Sequence, residues 1–91
     1  MMREGLYSCY DKKAGYYLGL FPARSDGEAT RMLEDAVKNP ESAIARHPGD
    51  YCLYRVAEWD NCSAGFTNCT PTVIVEAAAL LNNVVELKSA E

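Results

Sequence analysis

Ser25-Asp26-Gly27-Glu28-Ala29-Thr30-Arg31-Met32-Leu33-Glu34-Asp35-Ala36-Val37-Lys38 is the stretch on which the fold turns. Ser25, followed three residues later by Glu28, is a capping box that satisfies the first free amides of a helix. Ala29, Met32, Leu33, Ala36 and Val37 then recur at helical spacing and form one apolar stripe. Arg31 with Asp35, and Glu34 with Lys38, can pair across the outer face. Asn39-Pro40 ends the run, because the residue before proline avoids helical geometry. A helix with a single apolar stripe needs a partner layer, and the rest of the chain reads as strands.

Upstream, residues 4–11 and 16–21 are rich in aromatic residues and poor in helix formers. Lys12-Lys13-Ala14-Gly15 joins them as a hairpin loop, and Pro22, lacking an amide proton, is expected to end the second strand. Alternation groups Leu6, Ser8 and Tyr10 on one face and Tyr7 and Cys9 on the other. Downstream, residues 40–46 suit one further helical turn, with Asn39 as cap, Pro40 first and Ile44 inward. His47-Pro48-Gly49-Asp50 suits a type II turn. Residues 51–59 are apolar on both faces, as in a central strand. The chain turns over Asp60 to Gly65 and returns as a short strand at 66–69. In the following segment Thr72-Val73-Ile74-Val75 favours strand and Ala77 to Leu81 favours helix; the reading here is a helix over 72–82. Residues 84–88 suit a last strand or a docking tail. The expected fold is α+β in a single domain spanning 1–91. An antiparallel sheet of about four strands, built as two hairpins, carries one or two helices packed on one face.

Composition narrows the function classes. With 91 residues, 48% hydrophobic and 24% charged, the chain is a globular domain rather than a disordered one. No apolar run approaches the roughly 18–20 residues of a membrane span, and Met1-Met2-Arg3-Glu4-Gly5 has no apolar core of a secretory signal behind it. The net charge of −4 disfavours a purely electrostatic nucleic-acid binder. Seven of the nine basic residues lie in residues 1–48, where they balance seven acids, so the negative excess belongs to residues 49–91.

Cys9, Cys52, Cys62 and Cys69 fit no zinc or redox spacing, and the single histidine, His47, sits in a turn. Reduced thiols and no metal or other cofactor are expected; Cys62 and Cys69 are the one pair that hairpin geometry would bring near each other. Phosphate loops, nucleophile elbows and metalloprotease motifs are absent from the sequence, so catalysis is not expected. Five of the nine aromatic residues, Tyr7, Tyr10, Tyr16, Tyr17 and Phe21, fall in the first hairpin. Two uses fit them: a core or homodimer interface, or stacking on the bases of single-stranded DNA with basic residues close by. The candidate nucleic-acid site is Tyr10, Tyr16 and Tyr17 for rings, with Lys12, Lys13 and Arg24 for phosphates.

Three stretches carry a family likeness. They are Leu6 to Ala14; Ala29 to Val37, with the pattern Ala-x-Arg-x-x-x-Asp-Ala-Val; and His47 to Asp60, which opens His-Pro-x-Asp-Tyr-x-Leu-Tyr. In this order they resemble the small nonstructural protein of gokushovirus-like microviruses, tailless bacteriophages with single-stranded DNA genomes. Asn61-Cys62-Ser63-Ala64-Gly65 departs from the Asp/Gly turn of that pattern. The resemblance implies a phage nonstructural protein in the host cytoplasm, acting in viral DNA synthesis, with single-stranded DNA as partner. The alternative is an adaptor or anti-defence protein that engages the viral replication initiator or a host factor. The capping box makes Ser25→Ala cost about 1 kcal/mol in a denaturant titration.

Overall fold

A computed structural model describes residues 3–81. Six strands form one antiparallel sheet: β1 (Arg3–Asp11), β2 (Tyr16–Tyr17), β3 (Phe21–Ala23), β4 (Tyr51–Asp60), β5 (Gly65–Thr67) and β6 (Thr72–Glu76). Helix α1 (Asp26–Lys38) and the short α2 (Ala43–Arg46) precede a 3₁₀ turn at Pro48–Asp50, and residues 77–81 are helical. The α+β class and the helix-on-sheet arrangement agree with the sequence reading; the sheet has six strands instead of about four.

β1 and β4 form the spine, paired from Arg3–Asp60 to Asp11–Tyr51. Outside β1 lie β2 and β3; outside β4 lie β5 and β6. α1 covers one face. Its Ala29, Leu33 and Val37 are buried against Tyr7, Cys9, Ala23, Leu53, Ala77 and Leu80. Ser25 caps α1 as expected, with Oγ accepting from Glu28 N at 3.1 Å, while Glu28 Oε1 accepts from Arg24 N at 3.3 Å. Lys38 Nζ donates to Glu34 at 3.2 Å, and no Arg31–Asp35 ion pair forms among the described residues. Met32, expected inside, is 45% exposed. It lies at the rim of an apolar cavity of about 200 Å³ that Cys9, Phe21, Leu33 and Ile44 also line.

Several boundaries differ from the sequence reading, each for a local reason. Residues 72–76 are strand β6 and not helix. The β-branched run finds an open edge of β4, pairing from Cys52–Glu76 to Arg55–Thr72, and the helix begins only where the alanines do. Pro22 does not end its strand but sits inside β3, opposite Leu6, where an edge strand tolerates a missing donor. The ladder breaks instead over residues 18–20, where Ser8 Oγ donates to Leu18 O at 2.7 Å. The turn at 47–50 is 3₁₀ rather than type II, and Gly49 is not among the residues with positive φ. α2 begins later than expected, because Ser42 Oγ accepts from Ile44 N and Ala45 N and takes the capping role assigned to Asn39. The expectation for residues 84–88 lies outside the described residues.

The two hairpins share one loop design. In the first, Asp11 Oδ1 accepts from Lys13 N and Ala14 N, both at 3.0 Å, and Asp11 O accepts from Gly15 N at 2.8 Å, with Gly15 at φ +82°. In the second, Asp60 Oδ1 accepts from Cys62 N at 2.8 Å and Asp60 O from Ala64 N at 2.7 Å, with Ala64 at φ +61°. The departure at 61–65 therefore keeps the loop but puts a Cβ where glycine sits in its twin. Ala64→Gly is expected to raise stability by about 0.5–1 kcal/mol. Gly5→Ala is expected to lower it by about 1–3 kcal/mol, because a Cβ there would lie 2.5 Å from Tyr7 Cε1 and 2.6 Å from its oxygen. Paired urea titrations test both signs.

Candidate functional site

Cross-strand pairs share a face, so the register sorts the side chains of the sheet. Tyr7, Cys9, Leu53 and Arg55 lie on the face that α1 covers, as do Phe21 and Ala23 of β3. The opposite face carries Ser8, Tyr10, Cys52, Tyr54 and Trp59 of the spine, with Tyr17 beside Tyr10, Phe66 beside Trp59 and Val73 beside Tyr54. The sheet itself separates these rings from α1. It has one packed face and one aromatic face.

At one end of the aromatic face, three tyrosines from three strands form a cluster. Ring centroids are 4.8 Å apart for Tyr10–Tyr17, 5.5 Å for Tyr17–Tyr54 and 6.2 Å for Tyr10–Tyr54, all tilted or edge-to-face. Such packing holds the rings in fixed orientations. Tyr17 remains 42% exposed. The β1–β2 loop beside the cluster carries Lys12 and Lys13. Lys12 Nζ donates to Glu76 Oε2 at 2.7 Å and approaches Gly49 O at 3.5 Å. That hydrogen bond to Glu76 pushes the lysine above its ordinary pKa, so the ammonium is retained. Burial raises the Tyr54 phenol and the Cys52 thiol on the same face, leaving both neutral.

Of the six residues singled out from sequence, the structure brings together Tyr10, Tyr17, Lys12 and Lys13. Tyr16 pairs with Asp11, which puts it on the opposite side from Tyr10 and Tyr17. Arg24 follows β3 at the far end of β1, since Ala23 is opposite Gly5 while Tyr17 is opposite Tyr10. Sequence reasoning missed two residues of this face. Tyr54 lies in the central strand, where an aromatic reads as core, and only its alternation with buried Leu53 would have marked it as facing outward. Phe66 reads from sequence as part of a returning strand with no assigned face, yet it is 61% exposed.

A second polar constellation sits at the start of α1. Tyr7 Oη donates to Asp26 Oδ1 at 2.6 Å, and Arg55 Nη1 reaches both oxygens of the same carboxylate at 2.8 Å. Burial, with the Asp26 hydrogen bond second, pushes the Tyr7 phenol up to about 12. The Tyr7 hydrogen bond, with Arg55 assisting, holds Asp26 below the usual carboxylate range. Arg3, Arg24 and Glu58 border an adjoining open cavity of about 300 Å³. Each group here is satisfied by its neighbours, which is the pattern of a structural ion-pair cluster. Among the described residues, no cluster of three or more His, Cys, Asp or Glu side chains could hold a metal ion. The thiols of Cys9 and Cys52 are buried, and those of Cys62 and Cys69 are exposed and free. Cys62 lies in the β4–β5 loop whereas Cys69 lies beyond the far end of β5, so the hairpin separates this pair instead of joining it. No helix among the described residues is long and apolar enough to cross a membrane.

The fold and this face define a small α+β protein that displays an aromatic sheet surface. The chain belongs to the Phage ORF5 protein family, whose model matches residues 4–80, and is thus a phage accessory protein. No curated protein matches it, and no solved structure does.

The Tyr7–Asp26–Arg55 cluster gives the stability a defined pH dependence. Tyr7 titrates higher in the folded state, so its contribution is complete below pH about 10 and is lost as pH rises through about 12. Asp26 titrates lower when folded, so its contribution is complete above the ordinary carboxylate range and is lost as pH falls through the depressed value. Tyr7→Phe is expected to cost about 1.5 kcal/mol at neutral pH and to flatten the alkaline limb of a stability–pH profile; Asp26→Asn flattens the acid limb.

Proposed function

We propose that this phage accessory protein binds single-stranded DNA on the aromatic face of its sheet and acts through that binding in viral DNA synthesis in the host cytoplasm. One observation carries the reading. Tyr10, Tyr17 and Tyr54 meet at 4.8–6.2 Å on a face that α1 leaves bare, beside a loop with two adjacent lysines. Rings held in place by one another offer flat surfaces to bases at little cost in side-chain entropy, and stacking is tolerant of sequence. Lys12 and Lys13 supply phosphate contacts despite the net charge of −4, because positive charge need only be concentrated locally. The resemblance to the microvirus nonstructural protein supports the same reading, since a single-stranded genome must be produced and handled during replication. Tyr16 and Arg24 lie away from this surface and are left out of the refined site, which gains Tyr54.

A second reading has its own support. The Lys12–Glu76 ion pair partly neutralises one of the two loop cations, and acids outnumber bases 13 to 9. An adaptor that presents the tyrosine cluster to a viral replication initiator or a host protein would use the same rings without needing free cations.

Binding of labelled single- and double-stranded oligonucleotides across a salt series separates the two. The expected result is a preference for single strands that weakens with salt. Tyr17→Ala should cost about 1–3 kcal/mol of binding. Lys12→Ala with Lys13→Ala should lower the salt slope by about 0.7 for each phosphate that is no longer neutralised. Glu76→Gln, which releases Lys12, should tighten binding. Absence of binding at low salt by both the parent and Glu76→Gln would leave the adaptor reading.

A further inference from the structure

The face that α1 covers is polar at one end. There the β1–β4 register sets Arg3, Gly5 and Tyr7 beside Asp60, Glu58 and Arg55, and the first turn of α1 stands next to them. The open cavity of about 300 Å³ at this end is bordered by three guanidiniums, those of Arg3, Arg24 and Arg55, and by two carboxylates, those of Asp26 and Glu58. Its border therefore carries one net positive charge, in a chain whose net charge is −4. The dipole of α1 adds to that local potential.

These charges are not equally committed. The Asp26 carboxylate is closed off, by Tyr7 Oη at 2.6 Å and by Arg55 Nη1, which reaches both of its oxygens at 2.8 Å. Arg55 uses one nitrogen there, and its other nitrogens make no hydrogen bond among the described residues. Arg3, whose side chain is 57% exposed, approaches Glu58 only to 4.0 Å, too far for a hydrogen bond. The Arg24 side chain is exposed and has no ion pair or hydrogen bond among the described residues, while its backbone amide is held by Glu28 Oε1 at 3.3 Å. Glu28 and Asp60 turn to backbone amides, those of Arg24 and Cys62, and neither borders the cavity. Guanidiniums stay charged and present forked donors that match the oxygens of a phosphate. On the other side of Arg55 and Glu58 lies a second open cavity of about 300 Å³, whose remaining lining is uncharged: Asn68, Thr70 and Thr72.

We infer that Arg3, Arg24 and Arg55 form a site for the phosphate group of a nucleotide, whose nucleoside part extends over Arg55 and Glu58 toward Asn68 and Thr70. The first cavity supplies unengaged donors and the surplus positive charge; the second supplies an amide and hydroxyls for an uncharged polar group. A nucleotide has both halves, whether free or as a unit of a nucleic-acid strand. The site lies on the opposite face of the sheet from Tyr10, Tyr17 and Tyr54. It goes beyond the single-stranded DNA reading of that face and does not depend on it.

The full chain, isotope-labelled for NMR, is titrated at matched ionic strength with thymidine, with thymidine monophosphate and with a short oligothymidylate bearing hydroxyls at both ends. Thymidine monophosphate should give saturable shifts at the amides of Arg24 and Ser25 and at the Arg55 side chain, and thymidine should give none. Arg3→Ala with Arg24→Ala should weaken that binding about tenfold or more. Both side chains are exposed, so a thermal melt of the double variant should match the parent. Glu58→Gln, which removes a competing carboxylate, should tighten binding. Saturable shifts at the same groups with the oligothymidylate assign the phosphate to a strand, and shifts with the monophosphate alone assign it to a free nucleotide; either result supports the site. Shifts no larger than those from sodium chloride, or undiminished in the double variant, would overturn it. Shifts confined to Tyr10, Tyr17 and Tyr54 would overturn it too, while leaving the single-stranded DNA reading intact.

Discussion

Tyr7, Asp26 and Arg55 bring three elements to one point, and the layout of the molecule depends on that junction. The Tyr7 ring lies across Gly5, so its hydroxyl arrives at the first residue of α1, where Asp26 accepts from it at 2.6 Å. Arg55, opposite Tyr7 in β4, closes the same carboxylate at 2.8 Å. A carboxylate in the first turn also suits the positive end of the helix. The start of α1 is thereby tied to both spine strands on one face. The apolar stripe of Ala29, Leu33 and Val37 follows from there over Cys9, Leu53 and the residue 77–81 helix.

Committing α1 to one face decides what the other face can be. The chain has one long helix among the described residues, and the short α2 and the residue 77–81 helix lie with it around the same core. A solvated sheet face would ordinarily be polar, yet β1, β2, β4 and β5 each send at least one aromatic ring to the bare side. Tyrosine suits such a position because its ring packs while its hydroxyl stays wet. The three tyrosines support one another across strands, which gives this part of the surface its order with no covering helix among the described residues.

Much of this was legible in the sequence where periodicity and capping agreed. Ser25 with Glu28 and the Ala29–Leu33–Val37 stripe marked α1, and the doubly apolar 51–59 run marked the central strand. The first hairpin was read from its aromatic flanks and Gly15. Residues 72–76 were not, because local propensity there changes within five residues and the outcome was decided by the open edge of β4. Pro22 misled for the same reason: its effect depends on which side of an edge strand its nitrogen faces. In the site, Tyr10, Tyr17, Lys12 and Lys13 could be grouped because a short loop joins them. Tyr54 and the Trp59–Phe66 pair come together only through the register between strands, and the one extra residue of β4, Val56, opposite the Leu6/Tyr7 step is enough to reassign faces along β4. Arg24 illustrates the converse, since closeness in sequence to the second strand put it at the wrong end of the sheet.

The charge of the surface is the remaining physical constraint. A protein with 13 acids and 9 bases cannot hold DNA by counterion release alone. What the aromatic face offers instead is stacking, which does not depend on net charge and persists at salt concentrations that screen lysines. Glu76 then has a definite place in that balance. By holding Lys12 at 2.7 Å it fixes the ammonium at the edge of β6, and it also lowers the local positive potential that a phosphate would meet. The pair is exposed, so a phosphate can compete for the lysine with little desolvation to overcome. On the proposed reading, affinity for a single strand would be carried by the rings and moderated by the Glu76 carboxylate.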